Sequence, residues 1–284
     1  MNQKAKKVCV ITGRSSGMGF STAKRMGKKG YFLVLAARTP SKLDKALTEL
    51  TNCGIEAATC PCDISDWASV QNLAKFAASL GTVTTVLHIA GMSPHMGEAE
   101  KIMAGNAMGT IYMHEAFYPI LGENGVLIDT SSISAYLTPQ FIMPQKAFKL
   151  AQTDKDAFFK KMIARVNLMP KKSRAGVAYA ISKYFVIQYV KMEAARFGEK
   201  GVRVLSITPG NFETPMGALE AEEASTYLKF NAIKRLGHPD EIAALYDAVS
   251  DPEMGYLTGT DIICDGGCIA SGAGAFSRCP VPAG

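Results

Sequence analysis

Seven apolar runs of strand length recur along the chain, at Val8–Thr12, Tyr31–Ala37, Ile55–Cys60, Val83–Ala90, Val126–Thr130, Val202–Thr208 and Thr260–Cys264, and longer amphipathic stretches separate most of them. Such alternation specifies a parallel sheet with helices on both faces. The run Phe32-Leu-Val-Leu-Ala-Ala37 has no polar alternation, as required of a strand covered on both sides. Helix starts are marked at Pro40-Ser41, Ser65-Asp66 and Pro239-Asp240-Glu241, where a cap, a first-turn proline or an acid meets the unpaired amides. At 284 residues and 48% apolar composition the chain can bury a substantial core as one doubly wound α/β domain, residues 1–284. Two segments break the pattern. Residues 138–177 read as an insert, and residues 269–284, rich in Gly, Ala, Ser and Pro, read as a fraying tail.

The first run ends in Thr12-Gly13-Arg14-Ser15-Ser16-Gly17-Met18-Gly19. After a strand and before a helix, Gly13 permits a sharp turn, Gly17 lets backbone approach a pyrophosphate, and Gly19 lets the helix pack closely; the helix N-terminus then faces the phosphates. The expected architecture is therefore a Rossmann-type domain that binds a dinucleotide. The end of the second strand selects which one: a carboxylate there holds a free ribose 2′-hydroxyl, whereas arginine accommodates a 2′-phosphate. This chain has Ala37-Arg38, with Arg14 in the turn as a second cation, so NADP(H) is favoured and NAD(H) is the alternative.

Far downstream, Tyr179 and Lys183 stand four apart in Tyr-Ala-Ile-Ser-Lys. On a helix they share a face, and an ammonium beside a phenol favours its ionised form, which makes tyrosine a usable acid and base near neutral pH. Seven cysteines (positions 9, 53, 60, 62, 264, 268 and 279) form no zinc-spaced set, so buried reduced thiols and no metal are expected. The net charge of +6 comes from lysines and arginines that read as scattered and paired with nearby acids, which disfavours nucleic acid. The basic start Met1–Lys7 precedes too short an apolar run for a signal peptide, and no run approaches a membrane span, so a cytoplasmic protein without a membrane partner is expected.

The ordered set of Thr12-Gly-x-x-x-Gly-x-Gly19, Asp63 after the third strand, Ala90-Gly91, Asn106, Ser132, the Tyr179/Lys183 pair, Pro209-Gly210 with Thr214, and Asp265-Gly266-Gly267 resembles the compact single-domain branch of the short-chain dehydrogenase/reductase superfamily, over residues 7 to 268. The resemblance implies that Tyr179 is the acid/base, that Lys183 assists it while holding the nicotinamide ribose, that Ser132 orients the substrate oxygen, and that Asn106 supports a water relay to Lys183. It also implies an adenine contact at Asp63, with Ile64 beside it in the cofactor set, a ribose contact at Ala90-Gly91, and a carboxamide contact at Thr214 in the loop opened by Pro209-Gly210. Arg14, Ser16, Gly17, Met18 and Gly19 complete the cofactor set. His88 stands where this family more usually has asparagine, while His95, His114 and His238 read as surface or packing residues.

Between Ser132 and Tyr179 the insert carries Phe141, Ile142, Met143, Phe148, Phe158, Phe159, Met162 and Ile163, with a helical apolar period from Asp154 to Val166 capped by Thr153 or Asp154, and it is read as a hydrophobic lid beside the active site. A second wall is expected from Phe212, Met216, Leu219, Tyr227, Leu228 and Phe230. These walls favour a bulky apolar alcohol or ketone of steroid or bile-acid type, as in the hydroxysteroid dehydrogenase/carbonyl reductase group that the insert resembles. Lys146, Lys149, Lys160, Lys161, Lys171, Lys172 and Arg174 would attract an anionic side chain on it, or form a solvated face over an oligomer contact. The alternatives are an acyl thioester or sugar substrate, or a non-catalytic dinucleotide sensor. A homo-oligomer, dimer or tetramer, is expected.

Overall fold

Neighbouring side chains of the first strand face two different cores: Val8 and Val10 pack into one, Cys9 and Ile11 into the other, and all four are fully buried. In the computed structural model, which describes residues 6–13, 17–215, 217 and 226–274, this strand β1 (Lys7–Thr12) lies inside a seven-stranded parallel sheet of order β3-β2-β1-β4-β5-β6-β7. The others are β2 (Phe32–Ala37), β3 (Ala57–Pro61), β4 (Thr82–His88), β5 (Val126–Thr130), β6 (Arg203–Pro209) and β7 (Asp261–Cys264). Each expected run lies in a strand, its ends displaced by no more than two residues.

Helices α1 (Met18–Lys28) and α2 (Pro40–Asn52) cover one face, with Pro239–Ser250 packed beside α1; α3 (Trp67–Leu80) lies on the other. The caps work as the sequence indicates. Asp66 accepts the Ser69 amide at 3.0 Å, and proline opens both α2 and the helix Pro239–Ser250. The chain reverses its direction of winding between β1 and β4, where strand ends diverge and open a crevice at their carboxyl ends. From β4 the chain runs through α4 (Ala99–Met103), a π-turn at Ala104–Met108 and α5 (Gly109–Phe117) to β5.

The insert differs from the expected lid. It follows α6 (Ser134–Leu137) and folds into α7 (Gln145–Phe148), α8 (Lys155–Asn167) and short 3₁₀ turns, and the long α9 (Arg174–Gly198) already begins inside it. Met143, Phe148, Phe158 and Met162 are buried against Ile102, Met103, Phe185 and Tyr189, forming a third core outside α4 and α9. Their apolar period is satisfied by that helix face rather than by a ligand. The cap falls on Asp154, which accepts the Ala157 amide at 2.9 Å. Of the second wall, Phe212 and Phe230 are buried, and Met216 and Leu219 lie outside the described residues. The tail is ordered at its start: Ala273 is buried with Phe230 and Cys268, and its amide donates to the Cys268 carbonyl at 3.2 Å. Residues 275–284 lie outside the described residues.

Because Phe158 is fully buried, 4.6 Å centroid to centroid from Phe185, the insert should unfold with the domain. Phe158→Ala is expected to cost about 3–5 kcal/mol in urea unfolding, in one transition. A loss below about 1 kcal/mol would show that the insert is an appendage rather than core.

Candidate active site

Two glycines build the crevice floor. Gly13 has φ +71°, and a Cβ there would lie 2.4 Å from the Ala90 Cα; Gly17 has φ +61°, and its Cβ would lie 2.9 Å from the Thr214 side chain. Both the left-handed backbone and the close approaches therefore require glycine. Gly17 gives α1 no side-chain cap, and the first turn holds no acid, so its amides and positive dipole end are left for an anion. Arg14 and Ser16 lie outside the described residues. Thr12 is fully buried. Its hydroxyl accepts the Ala90 amide at 3.1 Å and sits 2.9 Å from His88 Nδ1, so it ties the ends of β1 and β4 together.

The crevice continues in both directions from Gly13, Ile89, Gly91 and Met92. One end is lined by Arg38, Lys42, Asp63, Ile64, Ala90 and Lys101. Burial raises the pKa of Asp63, but hydrogen bonds from the Ser65 hydroxyl and amide and the charges of Arg38 and Lys101 outweigh it, holding the carboxyl below its ordinary range. The other end is lined by Met18, Gly19, Ser132, Tyr179, Lys183, Pro209, Gly210 and Thr214. The uncapped helix start, the glycine floor and the cations at one end fit a dinucleotide laid along this crevice.

The side chains that the sequence marks as candidates for the chemistry meet at the second end. Lys183, 5% exposed, donates to the Thr130 carbonyl at 2.8 Å, and its ammonium lies 5.9 Å from the Tyr179 ring centroid, as their spacing of one helical turn predicts. A Cβ on Gly91 would lie 3.0 Å from Lys183 Nζ and 3.3 Å from Asn106 Oδ1. Asn106 sits in the π-turn; its Oδ1 accepts the Met92 amide at 2.7 Å, and its Nδ2 donates to the Met92 carbonyl and the Ser182 hydroxyl. A π-turn widens the helix where the asparagine must reach sideways. Ser132 accepts the Ser134 hydroxyl at 2.8 Å and lines the crevice, whereas the Ser131 hydroxyl is spent on the Lys183 carbonyl at 2.8 Å.

Tyr179 and Ser132 also line an adjoining cavity of 310 Å³ with Ile133, Leu137, Ala180 and Tyr227. Only Thr138 and Gly176, at the two ends of the insert, reach it. His95 lines it as well, and Lys42 and Lys101 line the far crevice end; sequence reasoning missed all three. Lys42 lies one turn beyond Arg38 at the start of α2, a placement that could have marked it. Of the surface and packing readings, His114 takes the second: it is fully buried, 2.6 Å from Asp129 and ringed by Tyr189 and Phe197. The six described cysteines are all free, and burial raises the Cys62 thiol to about 11; Cys279 lies outside the described residues.

This fold and site define a nicotinamide-dinucleotide oxidoreductase. Residues 7–151 match the family model for short chain dehydrogenases, and residues 141–268 match one described as enoyl-(acyl carrier protein) reductase. A short-chain dehydrogenase/reductase of Alternaria brassicicola, bsc3, is 31% identical over 266 residues, covering 92% of this chain and 95% of that protein. The 7alpha-hydroxysteroid dehydrogenase of Bacteroides fragilis is 24% identical over 282 residues, covering 94% and 96%. A short chain dehydrogenase from Burkholderia cenocepacia, solved in complex with NADP, shares the fold at TM-score 0.74 and 23% identity, over 93% of this chain and 98% of that one. The chain belongs to the short-chain dehydrogenase/reductase family and is an NAD(P)-dependent oxidoreductase acting on CH–OH groups.

Burial, and secondarily the charges of Lys183 and His114, lower the pKa of His88 to about 4 against the opposing pull of Asp129. The folded state keeps this imidazole neutral, whereas the unfolded chain protonates it near its ordinary pKa of about 6.5. Its stability contribution is therefore whole above about pH 6.5 and lost as pH falls towards 4, up to about 3 kcal/mol. Urea midpoints near pH 7 and about pH 4.5 should separate further in the native chain than in His88→Asn; equal separations would contradict this burial.

Proposed function

We propose that the protein interconverts a secondary alcohol and a ketone on a bulky apolar substrate of steroid or bile-acid type, using NADP(H). The carrying observation is that Tyr179 and Ser132 stand on the wall shared by the dinucleotide crevice and the 310 Å³ cavity. Hydride transfer is the chemistry that a bound nicotinamide supplies. The remaining work falls to this chain's own side chains. In reduction, the Tyr179 hydroxyl gives its proton to the carbonyl oxygen, and Ser132 donates a fixed hydrogen bond where negative charge grows. Lys183, held by the Thr130 carbonyl, keeps a positive charge beside the phenol, which favours its ionised form in the reverse direction. Asn106 holds Met92, and with it the turn after Gly91, against the ammonium.

Arg38 and Lys42 at the far crevice end, with alanine rather than an acid at position 37, support a 2′-phosphate. The apolar share of the cavity wall, from Ile133, Leu137 and Ala180, supports a hydrocarbon frame, in keeping with the 7alpha-hydroxysteroid dehydrogenase relative. An acyl thioester is the second reading, favoured by the match of residues 141–268 to the enoyl-(acyl carrier protein) reductase model.

A panel of steroid, bile-acid, acyl and sugar carbonyls followed by nicotinamide absorbance tests the substrate class; turnover of sugars with none of steroids would refute it. Tyr179→Phe should lower kcat by about a thousandfold while dinucleotide binding, read by fluorescence, persists. Unchanged turnover would remove Tyr179 from the chemistry. Arg38→Ala should weaken NADP(H) by roughly ten- to a hundredfold and leave NAD(H) nearly unchanged; equal losses for the two would refute the phosphate contact.

A further inference from the structure

The positive charge of this chain is not spread along it. Residues 138–177 hold nine lysines and arginines against two acids, Asp154 and Asp156, a net of +7, while the whole chain carries +6; the rest of the molecule is therefore at −1. This corrects the expectation of scattered, paired cations. Lys155 pairs with Glu115 at 2.6 Å, but Lys146, Lys149, Lys160, Lys161, Lys171 and Lys172 face no acid in an ion pair among the described residues. A segment that only needed to cover α4 and α9 would require its apolar face, not this charge.

The same segment carries two large apolar side chains turned to solvent, Phe141 at 74% and Leu168 at 70% exposure. Each stands on a loop that an arginine fastens from within. Arg165 donates through Nε to the Ile142 carbonyl at 2.8 Å and through Nη2 to the Phe141 carbonyl, and Arg174 donates to the carbonyls of Met169 at 3.0 Å and Asn167 at 2.9 Å, on either side of Leu168. The two prongs are thus held in place rather than left to collapse. Beside Leu168 runs an open cleft lined also by Gln140, Met143, Lys146, Lys161 and Arg165, without a single acid.

We propose that this surface docks the protein on an anionic lipid bilayer, with Phe141 and Leu168 seated among the acyl-chain ends and the lysines at the headgroups. Both arginines are committed to backbone, so every cation left is an ammonium on a long apolar stem. Such groups suit a diffuse anionic plane into which stems can snorkel, rather than the bidentate geometry of one carboxylate or phosphate. Apolar prongs combined with a polybasic patch are the two signals that stable peripheral binding needs. Nucleic acid would use the lysines but has no place for the exposed leucine. No helix among the described residues is long and apolar enough to cross a membrane, so attachment by this face is peripheral.

Co-sedimentation of the full chain with vesicles of phosphatidylcholine alone, and of phosphatidylcholine mixed with phosphatidylglycerol, tests this without reference to substrate. Binding to the mixed vesicles should exceed binding to neutral ones and fall with added salt. Lys146→Glu with Lys161→Glu should lower the partition coefficient by at least roughly tenfold, whereas the exposed pair Lys45→Glu with Lys75→Glu should leave it near the native value. Phe141→Ser with Leu168→Ser, at exposed positions that folding does not need, should also release the protein. Equal recovery with both vesicle types overturns the proposal. So does binding to a soluble polyanion such as poly(A) that matches the mixed vesicles and ignores the two prongs. A fall in sedimentation coefficient of the Phe141/Leu168 variant without vesicles, showing that the prongs join two copies of the chain, overturns it as well.

Discussion

A buried ammonium is costly unless it finds a fixed acceptor, and Lys183 finds one in the Thr130 carbonyl at the end of β5. The Ser131 hydroxyl returns the tie by donating to the Lys183 carbonyl. Together these bonds fix the rotation and height of α9 against the sheet, and with them the position of Tyr179 one turn earlier. Gly91 completes the constraint, because any side chain there would press on the ammonium and on Asn106. The tyrosine stands where crevice and cavity meet because of these contacts, not because of the sequence spacing alone.

The opposite wall is organised by a second polar knot. Thr12, His88 and Ala90 join the carboxyl ends of β1 and β4, the two strands between which the sheet reverses. His88 also gives its carbonyl to the Thr130 hydroxyl, which lies 2.5 Å from the Tyr246 hydroxyl. The knot therefore reaches from the dinucleotide turn to the strand that anchors Lys183. Imidazole at position 88 serves as a neutral bridging group deep in the core, and burial keeps it so.

Much of this was legible in the residues. Strands covered on both faces betray themselves by unbroken apolar runs, as β2 does; a glycine turn between strand and helix fixes the cradle, and Tyr179 with Lys183 needs only helical spacing. The insert was legible as a helix but not as a wall, because an apolar period shows that one face is covered without saying by what. Phe158 and Met162 chose α4 and α9 over the active site. The packing of His114 was open to the sequence but its partner was not, since Asp129 lies on another element fifteen residues away, and His95 reaches the cavity from a short 3₁₀ turn that has no period. The concentration of lysines in residues 138–177 was visible, but its meaning needed the knowledge that Arg165 and Arg174 turn inward while Phe141 and Leu168 turn out.

The central claim is that a positive charge locked beneath the phenol sets its proton affinity during turnover. The pH dependence of alcohol oxidation in Lys183→Met against the native chain tests it most directly, at saturating dinucleotide. The account predicts that the rise of kcat with pH moves upward by about one pH unit or more in the variant. A profile that keeps its midpoint while only its height changes would contradict it, and would leave Lys183 as an anchor of the helix and nothing else.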